Sequence, residues 1–406
     1  MNNGLTKAPP PIPLNEIPIN PEFRKKTKYP EINRVLGGGL TQGSIILLGG
    51  QPGIGKSTLL LELPDLKNNK ILYFSGEESL SQIKIRSLRL SIETDNLLIS
   101  NETEVSYINQ QITLLKPDLI IIDSIQTIFD KNIPSAAGTI IQVRESCASL
   151  CDIVKKHNLT MVIIGHINKD GILAGPKVIE HIVDTVLYLE GDTQSGLRVL
   201  RSMKNRFGST NEVAYLQLNK DGFKEIKNPL NELNISSNQV IGCTIAPIKE
   251  GSRFFLIEVQ ALVVPTNFNF PRRIVDGIEQ NRVNKIIAIL HKYLNIDLTN
   301  HDVYINITGG IKVSDVVTDL AIAGAVYSSK TGIPIKRSKA ILGELGLTGE
   351  VRNSHNLMDR IKITQAHGIT ECIYPQDNEK SKKESKMNIQ LTPVTNIKDG
   401  IRNLVA

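Results

Sequence analysis

A phosphate-binding loop at residues 50–57, Gly-Gln-Pro-Gly-Ile-Gly-Lys-Ser, constrains the fold of this chain more than any other feature. The pattern G-x-x-x-x-G-K-[ST] needs its glycines because successive backbone N–H groups must turn inward around a triphosphate. Lys56 would reach the β- and γ-phosphates, and the Ser57 hydroxyl would hold Mg²⁺. The residues predicted to bind the nucleotide are Gly50, Gln51, Pro52, Gly53, Ile54, Gly55, Lys56, Ser57 and Thr58.

The segments on both sides of this loop support the same interpretation. An apolar run at residues 44–49 predicts a buried strand, and residues 57–63 predict the first turns of a helix. In that strand–loop–helix order the helix N-terminus points its dipole at the phosphates. The sequence therefore predicts a site for ATP or GTP.

Length and composition narrow the class of protein. A chain of 406 residues predicts two or three domains, and 40% hydrophobic with 22% charged residues is typical of a globular protein. The net charge of +6 fits a nucleic-acid partner without demanding one. No apolar run approaches the roughly 18–20 residues that span a bilayer, and the N-terminus lacks the apolar core of a signal peptide. We therefore expect a cytoplasmic protein with no membrane partner.

The four cysteines do not predict a metal site. Cys147 and Cys151 are spaced i,i+4 in a segment that predicts a helix, while Cys243 and Cys372 stand alone. Ribbon-type zinc sites need two C-x₂₋₄-C pairs, and the second pair is missing. We expect buried structural cysteines and no zinc.

Residues 31–228 predict an α/β domain. Short apolar runs alternate there with amphipathic segments, which indicates a mostly parallel sheet with helices on both faces. The apolar runs lie at residues 71–74, 119–122, 161–164 and 185–189. The proline-rich residues 1–30 predict an N-terminal tail.

A second α/β domain is predicted at residues 239–406, after a polar linker at residues 229–238. Alternation at residues 254–263 predicts a strand, and residues 284–291 and 316–326 predict helices.

Candidate catalytic side chains follow the predicted strands of the first domain. Asp123 ends an apolar run, where a carboxylate supports Mg²⁺ coordination. Glu77 and Glu78 follow another strand and could polarise the attacking water, or could instead serve as an acidic N-cap of the next helix. His166 could sense the γ-phosphate, or could be an ordinary hydrogen-bonded loop histidine.

Ten stretches of the sequence together resemble one known family, and the resemblance extends from about residue 13 to the C-terminus. They lie at residues 36–40, 50–57, 73–79, 122–124, 165–166, 180–184, 204–208, 258–262, 319–321 and 343–350, with Pro271-Arg-Arg273 as a further match. The family is that of the bacterial RadA (Sms) DNA-repair ATPases, which are relatives of RecA. The stretch Lys-Asn-Arg-Phe-Gly at residues 204–208 is nearly diagnostic of it.

The resemblance implies a RecA-like ATPase domain followed by a domain with the Lon-peptidase fold. It implies a hexameric ring that uses ATP and Mg²⁺ to drive branch migration on single-stranded and branched DNA. The family normally begins with a four-cysteine zinc module, and no C-x-x-C pair precedes the ATPase domain here. Contact with the RecA recombinase, which relatives make productively through that module, therefore stays open.

Family roles can be transferred to matching residues. Glu77 aligns with the catalytic glutamate, and Lys204 and Arg206 would reach the γ-phosphate of a neighbouring subunit. Two cations delivered from outside would neutralise transition-state charge. Segments 126–144 and 168–177 occupy the places of the DNA-facing loops. Candidate contacts to DNA phosphates, in these segments and in the second domain, are Lys131, Arg144, Lys169, Lys177, Arg272, Arg273, Lys336, Arg337 and Lys339.

The sequence departs from true Lon peptidases at their catalytic Ser–Lys pair. Alignment places Ile322 at the serine and Arg360 near the lysine. Isoleucine is not a nucleophile, and arginine stays protonated and makes a poor base. We therefore expect no peptidase activity. Two alternatives to a DNA motor remain: a RecA-fold signalling or scaffold ring, as in the circadian-clock relatives, and an ATP-dependent peptidase.

Overall fold

The structure is a computed structural model. It describes residues 12–16, 23–166, 177–191, 196–226, 239–266, 268, 270–308, 312–353, 355–376 and 388–406. The chain divides into two compact units. The first comprises Met1–Leu189, Ser202–Ser209 and Lys220–Gly222, and the second comprises Glu190–Arg201, Thr210–Asn219 and Phe223–Ala406.

The part of the chain before residue 227 alternates strands with helices. The strands are β1 (Arg24–Lys25), β2 (Leu40–Thr41), β3 (Ile45–Gly50), β4 (Ile71–Ser75), β5 (Leu97–Ser100), β6 (Leu119–Asp123), β7 (Thr160–His166), β8 (Thr185–Gly191), β9 (Leu197–Asn205), β10 (Val213–Asn219) and β11 (Gly222–Ile226). The helices are α1 (Pro30–Val35), α2 (Lys56–Glu62), α3 (Leu80–Arg89), α4 (Val105–Leu115), α5 (Ile140–His157) and α6 (Lys177–Glu180).

A large sheet organises these elements. Its strand order is β11-β10-β9-β8-β3-β7-β6-β4-β5, and the six strands from β8 to β5 are parallel. Every residue of β3, β4 and β6 is buried, as expected for a parallel sheet covered on both faces. The prediction of a mostly parallel sheet is confirmed. Because parallel strands share one carboxyl edge, the ends of β3, β4, β6 and β7 meet there.

The remaining part of the chain forms a second α/β arrangement. Its strands are β12 (Gln239–Val240), β13 (Cys243–Glu250), β14 (Arg253–Pro265), β15 (Arg273–Asp276), β16 (His301–Ile307), β17 (Ile335–Lys336), β18 (Lys339–Ile341), β19 (Glu344–Leu345), β20 (Val351–Arg352), β21 (Glu371–Pro375) and β22 (Gln390–Val394). Its helices are α7 (Gln280–Leu294), α8 (Asp319–Thr331), α9 (Leu357–Ala366) and α10 (Ile397–Val405).

The main sheet of this part is mixed, in the order β15-β16-β14-β13-β18-β21-β22. Strand β14 pairs antiparallel with both β13 and β16, whereas β18, β21 and β22 run parallel. The predicted strand at residues 254–263 lies within β14, and the predicted helix at 284–291 lies within α7. The predicted helix at 316–326 begins as a 3₁₀ turn at Val316–Thr318 and continues as α8.

Several sequence predictions fall at the margins of the described chain. The predicted linker at residues 229–238 lies outside the described residues. Within the predicted tail, β1 pairs antiparallel with β2. The domain boundaries stay a prediction.

All four cysteines are buried free thiols, as expected, and the Sγ atoms of Cys147 and Cys151 lie 3.9 Å apart. No helix in the described ranges is long and apolar enough to cross a membrane.

Candidate nucleotide site

The phosphate loop has the predicted local structure. Strand β3 ends at Gly50 and α2 begins at Lys56. Gly53 and Gly55 adopt φ values of +77° and +112°, a region that side chains disfavour, so glycine is required at both turns. Gly55 is the N-cap of α2 and offers no side chain to bind the first N–H groups of the helix. The backbone donors of this turn are therefore free of side-chain caps, which fits a phosphate group.

Lys56 lies in the centre of this site. Its side chain is buried, and Nζ donates hydrogen bonds to the carbonyl oxygens of Gly50 at 2.8 Å and Gln51 at 2.9 Å. Burial lowers the pKa of Lys56 from 10.5 to about 8, against the opposing effect of the Asp123 and Glu77 carboxylates. The ammonium group is thus under-solvated and would gain from a phosphate partner.

Asp123 ends β6 at the carboxyl edge of the sheet, where only 4% of the residue is exposed. Its Oδ2 accepts a hydrogen bond from the Tyr73 hydroxyl at 2.5 Å. Tyr73 lies on β4, next to β6 in the sheet. Burial, reinforced by the Asp123 charge, raises the pKa of Tyr73 well above its usual value, so the phenol remains a donor.

Glu77 is held by two side chains from different strand ends. The Ser124 hydroxyl donates to Glu77 Oε1 at 2.5 Å, and His166 Nε2 lies 2.9 Å from the same oxygen. The Glu77 side chain is nevertheless 43% exposed. It is a carboxylate in a fixed orientation with access to water, as a general base requires.

The alternative of an acidic N-cap is wrong for Glu77 and Glu78. Ser79 is the N-cap of α3 and forms a reciprocal capping box with Gln82. Glu78 forms an ion pair with Arg86 of the same helix. Its role is therefore to anchor α3, which leaves Glu77 as the candidate base.

The donors present fit Mg²⁺ carried by a nucleotide. Ser57 lies in the first turn of α2, and its hydroxyl and the Asp123 carboxylate are oxygen donors of the kind that Mg²⁺ prefers. Among the residues that the structure describes, no group of three or more His, Cys, Asp or Glu side chains could hold a metal ion. A Mg²⁺ ion bound through phosphates needs only one or two protein carboxylates.

Lys204 and Arg206 contact the segment at residues 180–184 of their own chain. Lys204 Nζ donates to the carbonyl oxygens of Glu180 at 2.6 Å and Val183 at 2.8 Å. Arg206 forms an ion pair with Asp184 at 3.0 Å, and its side chain is 54% exposed. Their predicted action on a neighbouring subunit stays a prediction.

Two DNA-contact candidates of the first unit, Lys131 and Arg144, are surface cations. Lys131 is exposed, with Nζ 5.3 Å from the centre of the Tyr107 ring. Arg144 is exposed and paired with Glu145 at 2.6 Å. Lys169 lies outside the described residues, and for Lys177, which begins α6, the side chain does too.

The DNA-contact candidates of the second unit include exposed cations and cations that are bonded to other residues of the chain. Lys336 is exposed, and exposed Arg272 stacks over Phe268 at 3.9 Å. Arg273 donates to the carbonyl oxygens of His301 and Leu298. In contrast, Arg337 is paired with the buried Glu258.

The prediction for Lys339 is wrong. The residue is only 4% exposed, and its Nζ donates to the Asn403 carbonyl oxygen at 2.8 Å and pairs with Glu371 at 3.2 Å. Its charge is therefore satisfied inside the fold and unavailable to a DNA phosphate.

The two residues predicted to align with the Lon catalytic pair lie within the core of the second unit. Ile322 is fully buried on α8. Arg360 is 3% exposed, and its guanidinium donates to Asp315 at 2.7 Å and to the Pro247 carbonyl oxygen at 3.0 Å. Neither side chain is placed to attack a peptide, so the absence of peptidase activity remains our prediction.

The fold and the loop together define a P-loop ATPase with a RecA-like sheet and a second α/β unit. The family described as subunit ChlI of Mg-chelatase matches residues 276–378, which belong to the second unit.

Curated relatives match nearly the whole chain. DNA repair protein RadA of Listeria monocytogenes is 42% identical over 394 residues, which cover 96% of this chain and 86% of the relative. RadA of Bacillus subtilis is 41% identical over 97% of this chain and 86% of its own length. RadA of Chlamydia trachomatis is 42% identical over 97% of this chain and 88% of its own length. The chain belongs to the RadA family of DNA repair proteins.

Proposed function

We propose that this protein is a DNA-dependent ATPase that processes recombination intermediates during DNA repair, by branch migration and as a ring. One observation carries the proposal: the Glu77 carboxylate is held between Ser124 and His166. Its charge acts on Lys56, which marks a shared site with the phosphate loop. A binding module would need the loop but no oriented base.

Each side chain of the site has a separate role in the proposed hydrolysis of ATP. Lys56 exchanges its two carbonyl partners for the phosphates of ATP. Ser57 and Asp123 would hold Mg²⁺, which would supply positive charge to neutralise the phosphates. Glu77 accepts a proton from the attacking water, and His166, which bonds to the same oxygen, links that base to the end of β7.

Lys204 and Arg206 would complete the site of a neighbouring copy. The ring arrangement is what the family resemblance implies, and support from this chain is the exposure of Arg206. Its guanidinium has further donors beyond the one that contacts Asp184. Such donors stabilise the charge that develops during phosphoryl transfer.

DNA would be held by phosphate contacts that do not depend on base sequence. Exposed Lys131, Arg272 and Lys336 are the best placed of the candidate cations. Binding should therefore weaken steeply as salt rises. Single-stranded and branched DNA are the expected partners. A contact with the RecA recombinase is a further part of the proposal, and an assay with and without a recombinase tests it.

The test is ATP hydrolysis and branch extension on forked DNA, with and without a recombinase, by the full chain and by Lys56→Ala. We expect hydrolysis to rise on adding DNA and branches to move only with ATP and intact Lys56. A rate of ATP hydrolysis that does not change when DNA is added would favour the signalling or scaffold ring and overturn the proposal of a DNA motor. Degradation of casein with ATP would overturn the prediction of an inert peptidase fold.

A further inference from the structure

Tyr73 is a buried tyrosine whose hydroxyl reaches into the proposed nucleotide site. The residue is 1% exposed, and its hydroxyl donates to Asp123 Oδ2 at 2.5 Å. A phenol hydroxyl has a single hydrogen to donate, and here the acceptor is a carboxylate that is itself only 4% exposed. Hydrogen bonds to charged acceptors in such surroundings are short and strong.

This bond fixes how the Asp123 carboxylate is turned. The phenol takes one acceptor position of Oδ2, so Oδ1 would be the oxygen that is left to face a hydrated metal ion. Strand pairing sets the geometry, because β4 and β6 are neighbours with Ser75 opposite Asp123. The donor therefore comes from a rigid, fully buried strand and not from a loop.

We propose that Tyr73 is a positioning residue for the Mg²⁺ of the bound nucleotide and acts by orienting Asp123. Partners of this kind, which hold a metal-binding carboxylate without touching the metal, change metal affinity by about 10–100-fold when they are removed. The inference rests on the proposed function, because it assumes that Asp123 supports nucleotide-bound Mg²⁺.

A purely structural role for Tyr73 would have different effects on stability and on nucleotide affinity. Loss of a packing or stabilising contact would lower thermal stability and would change nucleotide affinity equally with and without Mg²⁺. A positioning role changes only the part of the affinity that Mg²⁺ supplies. The ratio of the two affinities therefore separates the roles.

The experiment measures the affinity of the full chain for the fluorescent, non-hydrolysable ATP analogue mant-AMPPNP, once in EDTA and once in Mg²⁺. In Tyr73→Phe we expect the affinity in EDTA to be unchanged and the enhancement by Mg²⁺ to fall about tenfold. The matched control is Tyr188→Phe, which removes another tyrosine–carboxylate bond, to Glu180 at 3.1 Å, and should leave both affinities unchanged. In an Asp123→Asn background, Tyr73→Phe should have no further effect on the enhancement.

A protein with 3-fluorotyrosine at position 73 keeps the shape and the hydroxyl, so it should retain the wild-type enhancement even if Tyr73→Phe fails to fold. Loss of the enhancement in that protein, or a full enhancement in folded Tyr73→Phe, overturns the inference. If the wild type binds no analogue in either condition, the proposed function fails instead.

Discussion

Nucleotide affinity should fall as the pH rises above about 8, because Lys56 must be protonated to bind phosphate. In the free protein, burial holds the pKa of Lys56 at about 8, below its ordinary 10.5. Phosphate oxygens favour the ammonium form and raise that pKa in the complex. Binding above pH 8 must therefore take up a proton, and the affinity decreases in that range.

The structure sets the size of the effect. With a pKa of about 8, Lys56 is about nine-tenths protonated at pH 7 and about one-tenth protonated at pH 9. The affinity should then fall about tenfold between these two values. If the bound phosphates restore the ordinary pKa of Lys56, the rise from about 8 to 10.5 corresponds to roughly 3 kcal/mol of binding free energy. At higher pH the affinity cannot fall by more than this amount.

The assay is titration with mant-AMPPNP at a series of pH values from 6.5 to about 9.5, with Lys56→Arg as the control. Arginine keeps its charge throughout this range, so the control reports ionisation of the nucleotide and of other groups. The ratio of wild-type to control affinity therefore reports the effect of Lys56 ionisation alone. A ratio that stays constant from pH 7 to 9 would refute the reasoning, since it would mean that Lys56 is charged throughout.

Three further predictions follow from the site and the surface. Glu77→Gln should bind the nucleotide within about threefold of the wild type but hydrolyse it at least about a hundredfold more slowly in single-turnover assays; an unchanged rate contradicts the base role. Arg206→Ala should leave nucleotide affinity intact and lower kcat about a thousandfold in steady-state assays, and a normal kcat would disprove its action across an interface. Lys336→Ala should lower the salt slope of DNA binding by about one, whereas Arg337→Ala should leave the slope unchanged. Arg337→Ala should also destabilise the fold by roughly 3 kcal/mol in urea titrations, because the buried Glu258 loses its ion-pair partner. The same slope for both variants would contradict that distinction.

The sequence predicts the sheet and the loop well because both depend on local patterns. Short runs of aliphatic residues that alternate with amphipathic segments indicate strands covered on both faces, and the glycines at positions 53 and 55 meet a backbone requirement that few other residues satisfy. The predicted limits of β4 and β6 differ from the observed ones by a single residue. Family resemblance adds expected roles for the polar side chains, but no local pattern shows which of these side chains contact one another.

The contacts that the sequence does not reveal join residues far apart in the chain. Tyr73 looks like one more apolar residue of a buried strand, and its bond to Asp123 depends on the pairing of β4 with β6. Lys339 looks like a surface cation, and only the fold shows that Glu371 and a carbonyl oxygen bury its charge. Glu77 and Glu78 are equal candidates by spacing, and Arg86 decides between them by pairing with Glu78.

Asp184 connects the proposed interface residues to the phosphate loop. Its Oδ1 pairs with Arg206 at 3.0 Å, while its Oδ2 accepts a hydrogen bond from the Ile45 backbone N–H at 3.1 Å. Ile45 begins β3, and the same strand ends in the loop at Gly50. Only the Arg206 end of this ion pair is exposed, at 54%, whereas the Asp184 side chain is 7% exposed. Moving Arg206 to a neighbour's phosphate would therefore leave a buried carboxylate with one partner fewer. The bond from Asp184 to β3 is buried and does not involve Arg206. We therefore expect the arginine to be the part of this arrangement that changes partners when it acts on a neighbouring copy, and the strand that carries the loop to stay in place.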